Sequence, residues 1–434
     1  MNKLVWLSAL LLLVGVTTRL WVLSWPAEVV FDEVHFGKFV SAYCCTHERF
    51  FDIHPPHAKL LIAGAVALTK YDGQFSFERI GQEYGGVPQM AFRAAPAVAG
   101  SLLPLVIFYL LIRLGVSVEA SFLGGAAVAL DNALIAQSRV IALDGVLLLS
   151  IFTSLLFIFL TREATGIRQW LLGGMTGVMA GLAAGSKFTG LIALGLVGLV
   201  MLVDLVRMVY RKDFSKVWRQ IWLGVVVLAG FALVYLAGWA IHFALLTKAG
   251  PGDVWRVPSE SFLREVIEWH RIMLSANYGL EAGHPDASPW WSWPLMLRPV
   301  FYWQGEGAEI HLIGNPIVWW GSMVLTLAGV LLAGRRGLTR RLGFWTVVAG
   351  WLMAILPLAR VPRALFIYHY FTALVFAILM SVIFLDSWDG KRKKWLIGAV
   401  LLGLIAGWAV VSPVTYGWPT PGLWREVLRH LPRF

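Results

Sequence analysis

Residues 4–39 read LVWLSALLLLVGVTTRLWVLSWPAEVVFDEVHFGKF, and the class of molecule turns on this stretch. Leu4–Leu23 is about as long as the ~20 apolar residues that a bilayer core demands. It is too long for the apolar centre of a signal peptide, and no small-x-small cleavage pattern precedes the acids, so a retained membrane span is expected. Asp32 and Glu33 follow nine residues later, side by side. Two adjacent carboxylates next to a membrane are electrostatically awkward, and a second cluster, FFDIHPPHAKL at Phe50–Leu60, lies close behind them.

The rest of the chain has the same character. Of 434 residues, 58% are hydrophobic and 14% charged, with a mean hydropathy of +0.71. Soluble domains carry about a quarter charged residues, so the composition describes a polytopic membrane protein. The 22 Trp agree, since indole rings favour the headgroup boundary; Trp6, Trp21 and Trp25 bracket the first span in this way. The net charge of +11 needs no nucleic acid, because cytoplasmic loops gather Lys and Arg. Cys44 and Cys45 are adjacent; a bond between neighbours is strained and not expected, and the pair makes neither a disulfide framework nor a metal motif.

Candidate spanning runs number eleven: 4–23, 94–112, 118–135, 140–160, 170–184, 188–206, 221–246, 316–333, 344–358, 365–384 and 395–411; the fifth and ninth are short, which leaves a count of ten or twelve open. With the N-terminus in the cytoplasm, one set of loops holds Arg211, Lys212, Lys216, Lys391, Arg392, Lys393 and Lys394, whereas the other short loops hold only Arg139, Lys187, Arg360 and Arg363. The positive-inside rule therefore sets two long loops, 24–92 and 247–315, and the tail at 413–434 outside. Residues 1–412 read as one all-α catalytic module. Lys59–Leu68 is too short to span and is expected to lie at the interface, as is the segment LWREVLRHL, Leu423–Leu431.

Ionisable residues at membrane depth are costly and point to function. On the outer face Asp32 and Glu33 are joined by Arg19, Arg93, Arg139, Asp144, Lys187, Arg360 and Arg363. An acidic centre ringed by cations suits an anionic lipid headgroup, whose phosphate Arg and Lys neutralise. A carboxyl repelled by its neighbour and partly buried has a raised proton affinity, as a general base acting on a hydroxyl requires. Asp32, Glu33, His35 and His54 could ligate a metal, but their spacing matches no standard site, so none is assigned. No glycine-rich nucleotide cradle is present, which favours a lipid-linked donor over a nucleotide sugar.

FDEVHFGKFVSAYCCTHERFFDIHPPHAKLL resembles the first extracytoplasmic loop of protein O-mannosyltransferases, membrane glycosyltransferases of the GT-C fold. SRVIALD, SKFTGL, the WHRIMLSANYGLEAGHPDASPWWSWPLMLRPVFYW segment, IGNPIVWW and RALFIYHYF resemble further family segments, so the likeness runs from Arg19 to about Phe384. It implies a GT-C fold of about eleven transmembrane helices and transfer of mannose from a polyprenyl phosphate to Ser or Thr hydroxyls of secreted or membrane proteins at the cell membrane. Asp32 matches the family's base and Glu33 the neighbour that places acceptor or sugar. Arg19 and Arg93 match arginines associated with activity, and with Arg139, Lys187 and Arg363 they are expected at the donor phosphate. His35, His54, His242 and Asp144 are further substrate-site candidates, and the HPP turn is expected to shape the loop. The second long loop has no room for the β-trefoil (MIR) insertion of eukaryotic members, so the shorter prokaryotic type is expected. A GT-C transferase of another polyprenyl-linked sugar to a lipid or glycan is the alternative. A transporter fits less well, because its charges would gather near mid-membrane.

Overall fold

The computed structural model describes residues 3–256, 259, 261–279, 283–388 and 390–430. In chain order the helices begin with α1 (Lys3–Leu20), α2 (Glu33–Ser41), α3 (His57–Val66), α4 (Gln89–Arg113), α5 (Val118–Ala129), α6 (Asn132–Ser138), α7 (Asp144–Glu163) and α8 (Gly166–Ser186). There follow α9 (Leu191–Tyr210), α10 (Phe214–Leu245) and α11 (Phe262–Gly279), then a hairpin of β1 (Val300–Gly305) and β2 (Ala308–Leu312). The chain closes with α12 (Pro316–Leu331), α13 (Leu342–Ile355), α14 (Phe371–Asp386), α15 (Gly390–Tyr416) and α16 (Gly422–His430).

Backbone polar groups in hydrocarbon must be satisfied within their own segment, which is why long apolar runs form helices. Among the described residues eight helices are long and apolar enough to cross a membrane, or nine if α5 and α6, bent by 55° at their junction, make one broken span. The expected segments at 170–184 and 316–333 are helices too, but α8 is not apolar enough and α12, at 16 residues, not long enough to join that set. The hairpin was not expected from a sequence read for helical spans.

Buried on nearly every side from Phe371 to Leu385, α14 is the central post. By contrast α10 and α15 bury only 17% of their apolar windows, leaving wide faces for lipid. Close helix approach comes from small residues: a Cβ on Gly177 would lie 1.9 Å from the Val227 carbonyl oxygen, so α8 meets α10 at backbone distance. The α5–α6 break is stapled. Asp131 accepts from Leu134 N (2.9 Å), Asn315 N (3.0 Å) and Trp319 Nε1 (2.9 Å), while Asn315 Nδ2 donates to Leu130 O (3.1 Å) and Leu404 O (2.8 Å). The GNP segment is thus a structural tie between α5, α12 and α15.

One face of α3 is buried (Ala58, Lys59, Ile62, Ala63) and Leu61 on the other is exposed. Cys44 and Cys45 are bonded to each other, contrary to expectation; the π-helical turn Ala42–Thr46 places the two thiols together. Of the Leu423–Leu431 segment, residues 423–430 are helical and Leu431 lies outside the described residues.

Candidate active site

Asp32 and Glu33 are adjacent yet differently placed. Phe31, just before them, takes a left-handed conformation (φ 44°), which a bulky residue adopts only when its surroundings hold it there. The turn sends Glu33 inward, where it is wholly buried. Its carboxylate accepts from Val30 N (2.8 Å), Ile141 N (3.0 Å), Tyr84 Oη (2.7 Å), Arg93 Nε (2.7 Å) and Arg93 Nη2 (2.9 Å). Arg93 spends its other N–H groups on the carbonyls of Leu23 (3.2 Å), Pro26 (3.0 Å) and Glu28 (3.0 Å). A guanidinium has five N–H donors, and all are engaged.

Three arginines expected at the phosphate, and Glu33, are thus held by partners within the protein. Arg93 has no donor left for a ligand. Arg19, fully buried, donates to Thr18 Oγ1 (2.9 Å) and to the carbonyls of Ala129 (3.1 Å) and Val128 (2.9 Å), although its buried Nε has no partner and, unlike Arg363, it does not line the cavity described below. Arg139 donates to the carbonyls of Arg19 (3.0 Å), Trp21 (2.8 Å) and Val22 (3.0 Å), with its guanidinium 4.9 Å from the Tyr416 ring centre. These arginines satisfy backbone carbonyls where the chain leaves the helices, and Glu33 ties the loop to α4 and to the Ile141 backbone.

Asp32 has the opposite surroundings. It is half-buried, and among the described residues its carboxylate makes no hydrogen bond or ion pair. Burial pushes its pKa up to about 7; Lys187 and Arg363 oppose the rise, while Asp144 and Asp52 add to it. The carboxyl thus lies within electrostatic reach of a cavity of about 390 Å³ whose lining includes His54, Asp144, Lys187, Arg363, Tyr368 and His369 together with Leu191, Ile192, Met353 and Leu358. Helix ends converge on it: the start of α7 brings Asp144, the end of α8 Lys187, and the loop after α13 Arg363.

Lys187 Nζ lies 2.7 Å from Asp144 Oδ1 and 5.4 Å from the Tyr368 ring centre. Arg363 is less committed, with one long contact to Ala364 O (3.5 Å) and a buried Nε without a partner. Burial lowers its pKa. Burial, then Lys187, Lys59 and Arg363, hold His54 well below the usual imidazole range, so it is neutral. His242, its Nδ1 2.6 Å from Tyr43 Oη, does not line this cavity; it shares a small pocket with Asp52, His54 and Lys59, and a further cavity of about 190 Å³ with Arg49, Arg256, Glu265 and Trp269. His35 is exposed and lines none of these.

Asp52, Lys59 and His369 were missed. Lys59 is buried, ion-paired with Asp52, and donates to His54 O (2.8 Å). The HPPHAK spacing was the available signal, since a lysine on an otherwise apolar buried face needs a partner. Among the described residues no group of three or more His, Cys, Asp or Glu could hold a metal ion.

A helical membrane bundle with its charged groups gathered at one cavity is the arrangement of GT-C glycosyltransferases, and solved structures of that class share the fold. ArnT from Cupriavidus metallidurans bound to undecaprenyl phosphate aligns with TM-score 0.55 at 15% identity, covering 95% of this chain and 64% of that one. The Saccharomyces cerevisiae protein O-mannosyltransferase Pmt1-Pmt2 complex bound to the sugar donor aligns with TM-score 0.93 at 18% identity, covering 100% and 93%. Residues 9–247 match the family described as dolichyl-phosphate-mannose-protein mannosyltransferase, and residues 262–430 the C-terminal four-transmembrane region of protein-O-mannosyltransferase. The chain belongs to this mannosyltransferase family. Protein O-mannosyltransferase 1 of Drosophila melanogaster is 38% identical over 251 residues, 56% of this chain and 28% of the relative. Dolichyl-phosphate-mannose–protein mannosyltransferase 4 of Candida albicans is 36% identical over 278 residues, 61% and 36%. The matched region spans about a third of these relatives' length.

Proposed function

We propose that the chain is an inverting glycosyltransferase that moves mannose from a polyprenyl-phosphate-mannose to Ser or Thr hydroxyls of secreted or membrane proteins. The observation that carries this reading is the division of labour around one cavity: two cations on its wall, Lys187 and Arg363, and within their field a carboxyl without a partner, Asp32, of pKa about 7. Membership of the family supports the choice of mannose.

Asp32, ionised, takes the hydroxyl proton as the acceptor oxygen attacks the anomeric carbon. The bond from that carbon to the phosphate oxygen breaks on the opposite face, and the polyprenyl phosphate leaves with its charge balanced by Lys187 and Arg363. Phosphate is a good leaving group, so base, cations and alignment suffice. A single displacement inverts the centre and needs no second carboxylate as nucleophile, which agrees with Glu33 being spent on Arg93. Neutral His54 can hydrogen-bond sugar or acceptor without adding charge. The apolar lining, Leu191, Ile192, Met353 and Leu358, suits the first isoprene units.

Purified protein in nanodiscs, given polyprenyl-phosphate-mannose and a Ser/Thr-rich peptide, should yield mannosyl peptide of inverted configuration by NMR. Retained configuration, or turnover only with another lipid-linked sugar or a lipid acceptor, would refute the proposal. The proposed topology puts 24–92 and 247–315 outside the cell membrane and the N-terminus in the cytoplasm. In a Cys44→Ser, Cys45→Ser background, an impermeant thiol reagent should label Ser76→Cys and not Ser215→Cys in intact cells. The reverse pattern would invert the topology.

A further inference from the structure

The hairpin is irregular where it meets the site. Phe301 pairs with His311 and Trp303 with Ile310, so Tyr302 is the extra residue of a bulge. Bulges re-aim a side chain and often adjoin active sites. Tyr302 is completely buried, far from any need for solvent. Its carbonyl accepts from Phe31 N (3.0 Å), and its ring lies parallel to the Phe31 ring with centres 4.3 Å apart. It therefore holds the left-handed residue directly before Asp32.

At its other end the Tyr302 hydroxyl donates to Gln137 Oε1, and Gln137 Nε2 donates to Asp144 Oδ2 (2.7 Å). The remaining oxygen, Oδ1, accepts from Lys187. The polarity of this chain is dictated by chemistry. An ionised carboxylate only accepts, so the amide must turn its NH₂ to Asp144 and its carbonyl to Tyr302, whose hydroxyl must then donate. Tyr302 and Gln137 are both buried and neither lines the cavity, so the link between them lacks water to replace it.

We propose that Tyr302 is a positioning residue that couples the Asp32 loop to the Asp144–Lys187 pair through Gln137. A residue of the second long loop thereby sets the base and the phosphate-facing cation relative to one another. The coupling rests on the assignment of Asp32 and Lys187 given above, although its hydrogen-bonded chain can be tested without turnover.

Tyr302→Phe keeps the ring stack and the backbone contact and removes only the hydroxyl. Gln137→Leu cuts the same chain at its next link. Each should weaken binding of undecaprenyl phosphate, used as the probe, by about tenfold, the upper end of the scale for one ordinary buried hydrogen bond. Each should also lower kcat for mannosyl transfer by a similar factor. Because both variants break one chain, the double variant should be no worse than either single one. A merely structural role would give losses that multiply and follow melting temperature. Multiplying losses, or unchanged probe affinity in well-folded Tyr302→Phe, would overturn the coupling. A wild-type protein that transfers no mannose while the probe cycle stays non-additive would remove the mannosyltransferase reading and leave the coupling standing.

Discussion

The residues around Glu33 and those around Asp32 differ in how fully their hydrogen bonds are satisfied. Around Glu33 every partner is spent: five donors meet one carboxylate, and all N–H groups of Arg93 are used. Around Asp32 the groups hold something back. Asp32 has no partner among the described residues, and Arg363 keeps a free buried Nε. Saturated networks fix a backbone, since a buried ion pair missing one member leaves an uncompensated charge. In the proposed function the unsaturated groups beside the cavity are kept for a ligand, at some cost to the fold. Charge alone does not distinguish the two regions.

The largest expected effect is on chemistry. Asp32→Asn should cut turnover by about 10²–10⁴-fold, the usual contribution of a positioned base, while donor affinity stays near normal. Turnover in purified protein checks this. Next comes the fold: Arg93→Ala should cost about 3–5 kcal/mol by stranding Glu33, read as a large fall in the melting temperature of detergent-solubilised protein. If the variant melted normally but lost donor affinity, Arg93 would belong to the site after all. Arg363→Ala should do the reverse, weakening binding of the polyprenyl-phosphate sugar by roughly 10–100-fold, the scale of a charge-assisted contact, with little change in melting. Arg363→Lys, a point charge in place of a fork, should recover part of that affinity.

A smaller effect concerns pH. With the Asp32 carboxyl at about 7, transfer should rise about tenfold per unit as pH climbs towards 7 and level off above it, because only the ionised form accepts the proton. The sign for stability is opposite. The folded carboxyl holds its proton more tightly than the unfolded one, so ionisation between about pH 4 and 7 works against folding. A rate profile that is flat from pH 5 to 8 would contradict the shifted carboxyl.

Much of this was legible beforehand. The apolar runs marked most of the long helices, and the acid pair, His54, Asp144, Lys187 and Arg363 were all singled out; the last four share one cavity. The resemblance gave Asp32 the base and Glu33 a placing role; what could not be read was that Glu33 is buried in a network of its own. That is decided by the turn at Phe31 and by partners distant in the chain, Arg93 and the Ile141 backbone, which no local pattern announces. The internal partners of Arg19, Arg93 and Arg139 could not be foreseen, because a guanidinium that binds phosphate and one that satisfies backbone carbonyls look identical in sequence. The hairpin escaped because β1, VFYWQG, is as apolar and aromatic as a membrane-facing segment.

The central claim, that adjacent acids divide into anchor and base, is tested most directly by melting Asp32→Asn and Glu33→Gln side by side at pH 8 in the same detergent. Asp32→Asn should melt at or above the wild-type temperature, because it removes a desolvated charge that has no partner. Glu33→Gln should melt well below it, because the amide replaces an acceptor oxygen with a donor facing Arg93, Tyr84 and backbone N–H groups. Equal melting of the two variants, or an Asp32→Asn protein that unfolds as early as Glu33→Gln, would contradict the account.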